Sequence, residues 1–443
     1  MYWFYRFVSA VTVVTCLTAA AAPAGNTGRV TVNGHQFQLN GKPYYYAGTN
    51  FWQGMNLGSS GAGGDRAQLG RELDRLADMG VTNVRVMAAS EGPDTEPYRM
   101  VPSLQTSPGV YNEDVFEGLD YLLAELDQRN MRAVMVLNNM WHWSGGMAQY
   151  VSWKENSPIP YPNVTHDWDA YQDYAAKFYD YQECQQWYQD HIETVINRVN
   201  TVNGKQYKDD PTIFSWQLAN EPRRYPEQGD WVDSTAAFIK SLSPDQLVTV
   251  GSEGEMGVAD FVGTHDGPNI DYATCHIWPQ NWGWFNPLTP STYASAETEA
   301  LDYWLSHADD AENVLEMPLV LEEFGLARDY SGPLYDIYDP DSPTTYRDQF
   351  FSAMFEAVYD SAAAGGPGAG TNFWAWSGES LPGDTWIGDP PHEIPGWYAV
   401  YATDASTLGV IRDHAAQMQS LIPEPTAAML LGLGGLVLLR RRA

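Results

Sequence analysis

Cysteine is nearly absent: the 443 residues hold three, Cys16, Cys184 and Cys275. That number excludes a disulfide framework, and their spacing suggests no metal site. A single Cys184 to Cys275 bridge stays open beside the reading of both as structural thiols. Positive charge is scarce as well. Only 24 Lys and Arg stand against 56 Asp and Glu, a formal charge of -32, and so negative a surface repels nucleic acid and acidic polysaccharides. A neutral polymer is not penalised. None of the 9 His falls at metal-ligand spacing with Cys or Asp, so neither a catalytic metal nor a cofactor is expected. Aromatic side chains are abundant instead. The 17 Trp and 27 Tyr exceed what a core needs, which suits a surface that stacks on sugar rings.

The two ends read differently from the body. Residues 1–24 carry Arg6, an apolar run over 7–17 and the small-residue end Ala22-Pro23-Ala24, the pattern of a cleavable export signal. At the other end, Pro423-Glu424-Pro425 precedes an apolar run over 427–439 and then Arg440, Arg441 and Arg442. Such a run is short for a stable span and is stopped by arginines. Residues 422–443 resemble the PEP-CTERM sorting signal of bacteria that make exopolysaccharide. That resemblance implies export, surface processing and only transient membrane contact; a plain C-terminal anchor is the alternative. The body, residues 25–421, is expected to be one catalytic domain and a monomer.

Within the body, apolar strand candidates fall at residues 44–49, 83–88, 132–138, 213–220, 247–252, 272–278, 319–325 and 371–377. Helical periodicity is clearest over 66–79, 114–129, 168–200 and 344–364. Eight strand-then-helix units predict a closed parallel (β/α)8 TIM barrel rather than an open sheet. Residues 29–43, with Asn33-Gly34 and Asn40-Gly41 turns, predict a short β-hairpin in front of it.

In such a barrel, reactive groups belong at the C-terminal strand ends. Polar residues interrupt the apolar pattern there: Glu221 and Asn220 close IFSWQLANEPR, Glu322 and Glu323 close LVLEEFG, Arg85 lies in TNVRVMA and His276 in ATCHIW. Cleaving a glycosidic bond takes two carboxyl groups, one to protonate the leaving oxygen and one to attack or to steer water. Glu221 and Glu323 fit, because the fourth and seventh strands face each other across the mouth. A separation of about 5 to 5.5 Å predicts retention through a covalent intermediate. Strand alternation points Glu322 and Glu323 to opposite faces, so only one should look into the site.

LANEP and EEFG, with Arg85 upstream and the His276 strand between them, resemble the motifs of glycoside hydrolase family 5. NGKPYYYAGTNFW, LNNMWHWSGGMAQYVSW, the run from His191 to Arg223 and GTNFWAWSGE are similar to its endo-β-1,4-mannanase branch, over roughly residues 30–380. The resemblance implies Glu221 as acid/base and Glu323 as nucleophile. It also implies that Arg85 and Asn220 hold the nucleophile and the sugar 2-hydroxyl, that His276 touches sugar or nucleophile, that Trp374 is the stacking floor and that Trp141 lines the next sugar site. Trp278 departs from the family pattern: it stands where many members place a Tyr whose hydroxyl bonds the nucleophile, and an indole N–H cannot reproduce that geometry. The expected activity is retaining endo-hydrolysis of β-mannan, glucomannan or galactomannan. A β-1,4-glucanase, a mannan transglycosylase and a non-catalytic surface carbohydrate-binding protein are the competing readings.

Overall fold

A computed structural model describes residues 25–225, 230–258 and 260–423. The export and sorting signals expected from sequence, residues 1–24 and most of 422–443, lie outside the described residues. Eight parallel strands run through the body: β1 Tyr46–Asn50, β2 Asn83–Met87, β3 Arg132–Val136, β4 Ile213–Gln217, β5 Leu247–Thr249, β6 Ala273–Ile277, β7 Leu319–Phe324 and β8 Gly368–Phe373. Their order in the sheet is β5-β4-β3-β2-β1-β8-β7-β6. At the remaining seam Asp271 N donates to Val248 O at 2.9 Å and Thr249 Oγ1 to Tyr272 O at 2.8 Å. The result is a (β/α)8 barrel, and every predicted strand overlaps an observed one.

Helices pack outside the strands because each presents one apolar stripe. The first long one, Arg66–Asp78, starts where Asp65 caps Gln68 N at 2.8 Å and buries Leu69, Leu73 and Leu76. The single helix expected over 168–200 is two, Trp168–Asp180 and Gln182–Ile196. Tyr181 breaks it in an extended conformation. Its hydroxyl donates to Glu155 at 2.6 Å, beside the Lys177 ammonium at 2.9 Å, and that tether turns the chain. Cys184 and Cys275 are both buried and free.

The predicted hairpin is a three-stranded antiparallel sheet, Val30–Asn33, Gln36–Leu39 and Lys42–Pro43. Asn40 and Gly41 both have positive φ, as the mirror-image turn between two strands requires. This sheet closes the barrel floor. Phe37 packs edge-on against Phe214 and Tyr272 at 5.1 and 5.3 Å, joined by Tyr44, Tyr46, Val134 and Val320. Above that aromatic plug the interior turns polar. Ser215 and Tyr272 share a hydrogen bond of 2.8 Å, and above them lie Arg85, Gln217, His276 and Glu322, all buried. Among the described residues, no helix is long and apolar enough to cross a membrane.

Candidate active site

The polar layer opens into a cavity of ≈ 540 Å³ at the C-terminal ends of the strands. Asn220, Glu221, Trp141, Trp278, Glu323 and Trp374 all line it, so six of the eight site residues expected from sequence share one hollow. The other two, Arg85 and His276, lie directly beneath.

Glu221 follows β4 with φ +48°, a left-handed conformation that a glutamate adopts only when its surroundings impose it. Its N–H donates to Gly251 O at 2.9 Å. Gly251 itself has φ +86°, and a Cβ there would meet Ala219 O at 2.1 Å. The turn aims the Glu221 carboxyl at the mouth. There Trp141 Nε1 donates to Oε2 at 2.5 Å, and His276 Nδ1 lies 2.7 Å from Oε1. The register between β6 and β7 shifts at Cys275 and His276, which sets His276 beside Glu323. Its Nδ1 is 3.4 Å from Glu323 Oε2.

Arg85 anchors the opposite carboxyl. Its guanidinium contacts Glu323 Oε1 directly, donates to Asn220 Oδ1 at 2.7 Å and Asn50 Oδ1 at 3.0 Å, and reaches Gln217 Oε1 at 2.8 Å through Nε. All five donors of a guanidinium point along a rigid fork, so these partners fix one orientation. Glu322 departs from the alternation argument: its Oε2 also approaches Arg85 Nε at 3.4 Å and His276 Nε2 at 3.5 Å. Both neighbouring glutamates therefore reach the same two cations, Glu322 from inside the barrel and Glu323 from the rim.

Burial works on every charge here. It opposes the His276 imidazolium, but Glu323, Glu221 and Glu322 outweigh it and push His276 up to about 10. Burial and the Glu221 charge raise Glu323 to about 7 despite His276 and Arg85. For Glu221 burial also raises, yet the His276 contact, Arg223 and Trp141 bring it below the usual carboxylate value. The pair thus keeps one proton up to about neutral pH, held in common. Glu221, His276 and Glu323 offer ligand atoms within 4.8 Å of one another. It is the one convergent donor set for a cation among the described residues, and the His276 nitrogen in it is engaged with Glu221.

Trp374 lies across the floor, edge-on to Trp143 at 6.2 Å and to Trp278 at 5.8 Å. Trp278 in turn packs on Tyr398 at 4.9 Å, so it serves the wall of the cavity. Trp376, two residues along, points into the core, where its Nε1 donates to Glu72 at 3.0 Å.

Sequence reasoning missed several lining residues. Gln217, beneath the cavity between Arg85 and Glu322, was visible as a polar interruption in an apolar strand. Arg223 and Glu253 form a two-pronged ion pair of 2.6 and 2.7 Å, with the Arg223 guanidinium 4.9 Å over the Trp141 ring. His392, Glu393 and Trp397 come from the loop after β8, where no periodicity marks them. That loop is strapped down: Asp389 accepts from Gly396 N, Tyr398 N and Ala399 N at 2.6 to 3.2 Å. Asn163 Nδ2, from the short helix Pro162–Thr165 in the excursion between β3 and β4, donates to His392 O at 3.0 Å. Glu393 is pushed well above the carboxylate range by burial and by Asp389, Glu323 and Glu221, and its Oε2 has no hydrogen-bond partner.

A barrel with two facing carboxyls, cationic supports and an aromatic lining at its mouth is the architecture of a glycoside hydrolase. The chain belongs to glycoside hydrolase family 5: the model of the family's β-mannosidase-like members matches residues 28–423. A family 5 mannosidase from Rhizomucor miehei is 44% identical, with a TM-score of 0.85 over 89% of this chain and 98% of that one. Mannan endo-1,4-beta-mannosidase 1 of Arabidopsis thaliana is 33% identical over 79% of this chain and 82% of its own length. Mannan endo-1,4-beta-mannosidase 5 of Solanum lycopersicum is 30% identical over 95% and 99%.

Proposed function

We propose that this chain hydrolyses β-mannosidic bonds with retention of configuration, Glu323 attacking the anomeric carbon and Glu221 serving the leaving oxygen. The observation that carries the reading is the approach of the two carboxyls to within 4.8 Å. An approach that close suits direct attack on the sugar, whereas inversion sets the carboxyls about 6.5 to 9.5 Å apart with a water between them. Glu323 bears the Arg85 contact, which stabilises the anion that must attack. Glu221 bears the Trp141 contact on the open side of the cavity, where a leaving group departs.

Proton placement is the first requirement of the chemistry. The pair holds one proton, and Glu221 must carry it when the bond breaks. His276 Nδ1, 2.7 Å from Glu221 and 3.4 Å from Glu323, is the group whose change of partner moves it. Bonded to Glu323, it favours the nucleophile's charge and frees Glu221 to be the acid. Once the glycosyl-enzyme forms, the Glu323 charge is gone and Glu221 acts as base toward water.

Mannan as substrate class rests on the names of the relatives. The plant relatives support endo action. The strap from the β8 loop to the segment after β3 favours release of terminal sugars, because it walls the cavity with His392, Glu393 and Trp397 and offers the unpartnered Glu393 Oε2 to ring hydroxyls. The R. miehei mannosidase has also been solved, as a mutant 43% identical to this chain, in complex with mannosyl-fructose, a short glycoside. We therefore favour attack at chain ends, with internal cleavage as the second reading. Timed product analysis on mannohexaose tests both: mannose accumulating alone from the first minutes supports chain-end attack, and early mannobiose to mannotetraose supports internal cleavage. Activity on carboxymethyl cellulose but not on mannan or manno-oligosaccharides would overturn the substrate class.

We further propose export, which rests on the sequence of residues 1–24 and 422–443 alone. N-terminal sequencing of the protein from culture medium should begin at Gly25.

A further inference from the structure

One buried carboxylate takes no part in the double displacement. Glu322 is fully buried, and its Oε2 accepts from Gln217 Nε2 at 2.5 Å and lies 3.5 Å from His276 Nε2. Glu322 Oε1 and His276 Nε2 are both shielded from water and have no hydrogen-bond partner. A neutral imidazole would fit badly here. A bare Nε2 would face the Glu322 carboxylate lone pair against lone pair, and a bare Nδ1 would have to draw on the one proton that Glu221 and Glu323 share. Glu322 thus calls for a hydrogen on Nε2, and a second one on Nδ1, making the imidazolium, leaves the pair's proton to the two carboxyls.

The charges agree. Facing His276 are Glu221 after β4, Glu253 after β5, Glu322 and Glu323 on β7, Arg85 on β2 and Arg223 after Glu221, with Cys275 on its own strand. Burial and the Glu221 charge raise Glu253 to about 7 against the pull of Arg223; counted as the ion pair their two-pronged contact makes, the two cancel. With one proton shared by Glu221 and Glu323, the remaining negative charges are that pair and Glu322, and the positive ones are Arg85 and His276. The balance is zero only with an imidazolium. A neutral His276 would leave an uncompensated buried charge.

We propose that Glu322 is a positioning residue that fixes His276 as an imidazolium from behind, so that its Nδ1–H is always available to pass between Glu221 and Glu323. The inference rests on the roles proposed above for those two glutamates. It differs from a merely structural ion pair in what it does to the ring: Glu322 sets the protonation of His276, and through it the placement of the pair's proton.

Nuclear magnetic resonance of protein labelled with ¹⁵N-histidine tests this, with His276→Gln identifying the signal. Both ring nitrogens of wild-type His276 should stay protonated at pH 8. In Glu322→Gln one should lose its proton below pH 8, with kcat/KM at pH 7 falling roughly 100-fold. Glu322→Asp should restore both. Gln217→Met, which removes the hydrogen bond to Glu322 but not its charge, should leave His276 doubly protonated. A wild-type His276 that loses a ring proton below pH 8 overturns the proposal even if no variant folds. So does a folded Glu322→Gln protein with unchanged ring titration. The ring titration needs no turnover, so it stands or falls separately from the assignment of Glu221 and Glu323, which covalent labelling decides.

Discussion

Glu221 and Glu323 come from strands on opposite sides of the barrel, about a hundred residues apart in the chain, yet their carboxylate oxygens lie within 4.8 Å. Two buried carboxyls at that distance cannot both ionise without cost. The raised Glu323 and lowered Glu221 are two faces of one shared proton, and most of what the site should do follows from where it sits.

Removing either carboxyl should separate the two half-reactions. Glu323→Ala should lose turnover on every β-mannoside by at least about 10⁴-fold. Glu221→Ala should lose natural substrates comparably but keep the first step on aryl mannosides whose leaving group needs no proton. Burst kinetics on a dinitrophenyl mannoside, with slow release of the intermediate, is the check; near-normal steady-state rates on manno-oligosaccharides in either variant would contradict the roles.

The pH profile of kcat/KM should be a bell belonging to the pair. The last proton of the pair is bound with a value of about 7, so the alkaline limb should fall tenfold per unit above that pH, when no acid remains. The acid limb should begin below the ordinary carboxylate value of 4.5, since Glu221 is held under it and a second proton there neutralises the nucleophile. A flat profile between pH 6 and 9 would contradict the shared proton.

The eight strands were legible because each is a short apolar run bounded by turn residues, and the barrel fixes where their ends gather. Glu221 and Glu323 were legible for the same reason: a carboxyl ending a buried strand has nowhere to point but the mouth. Alternation misjudged Glu322, because β6 and β7 shift register at Cys275 and His276 and both glutamates turn toward the same cations. His392 and Glu393 were invisible. They sit in a long loop held by Asp389 and Asn163, and contacts between distant loops leave no period in the sequence.

Arg85 should be a stability residue as well as a site residue. Arg85→Ala leaves the buried Glu322 and Glu323 with His276 alone for two negative charges, and breaking a buried pair typically costs about 3–5 kcal/mol. Urea unfolding at pH 7 should show that loss. Lowering the pH toward 4 should recover part of it, because the abandoned carboxyls can then be protonated; an undiminished midpoint would contradict the charge balance.

Glu393 should govern where the chain is cut if the strap favours chain ends. Glu393→Ala should weaken binding of mannobiose by roughly 10-fold, about the loss of a hydrogen bond or two in a buried site, and should shift early mannohexaose products toward longer fragments. Unchanged product ratios would return the endo reading to first place.

The most direct test is covalent trapping with a 2-deoxy-2-fluoro-β-mannosyl fluoride, followed by intact mass and peptide mapping. The account predicts one fluoromannosyl group per chain, attached to the carboxyl of Glu323 in the peptide LVLEEFG. Attachment to Glu322, or turnover of the reagent with inverted product and no adduct, would contradict it.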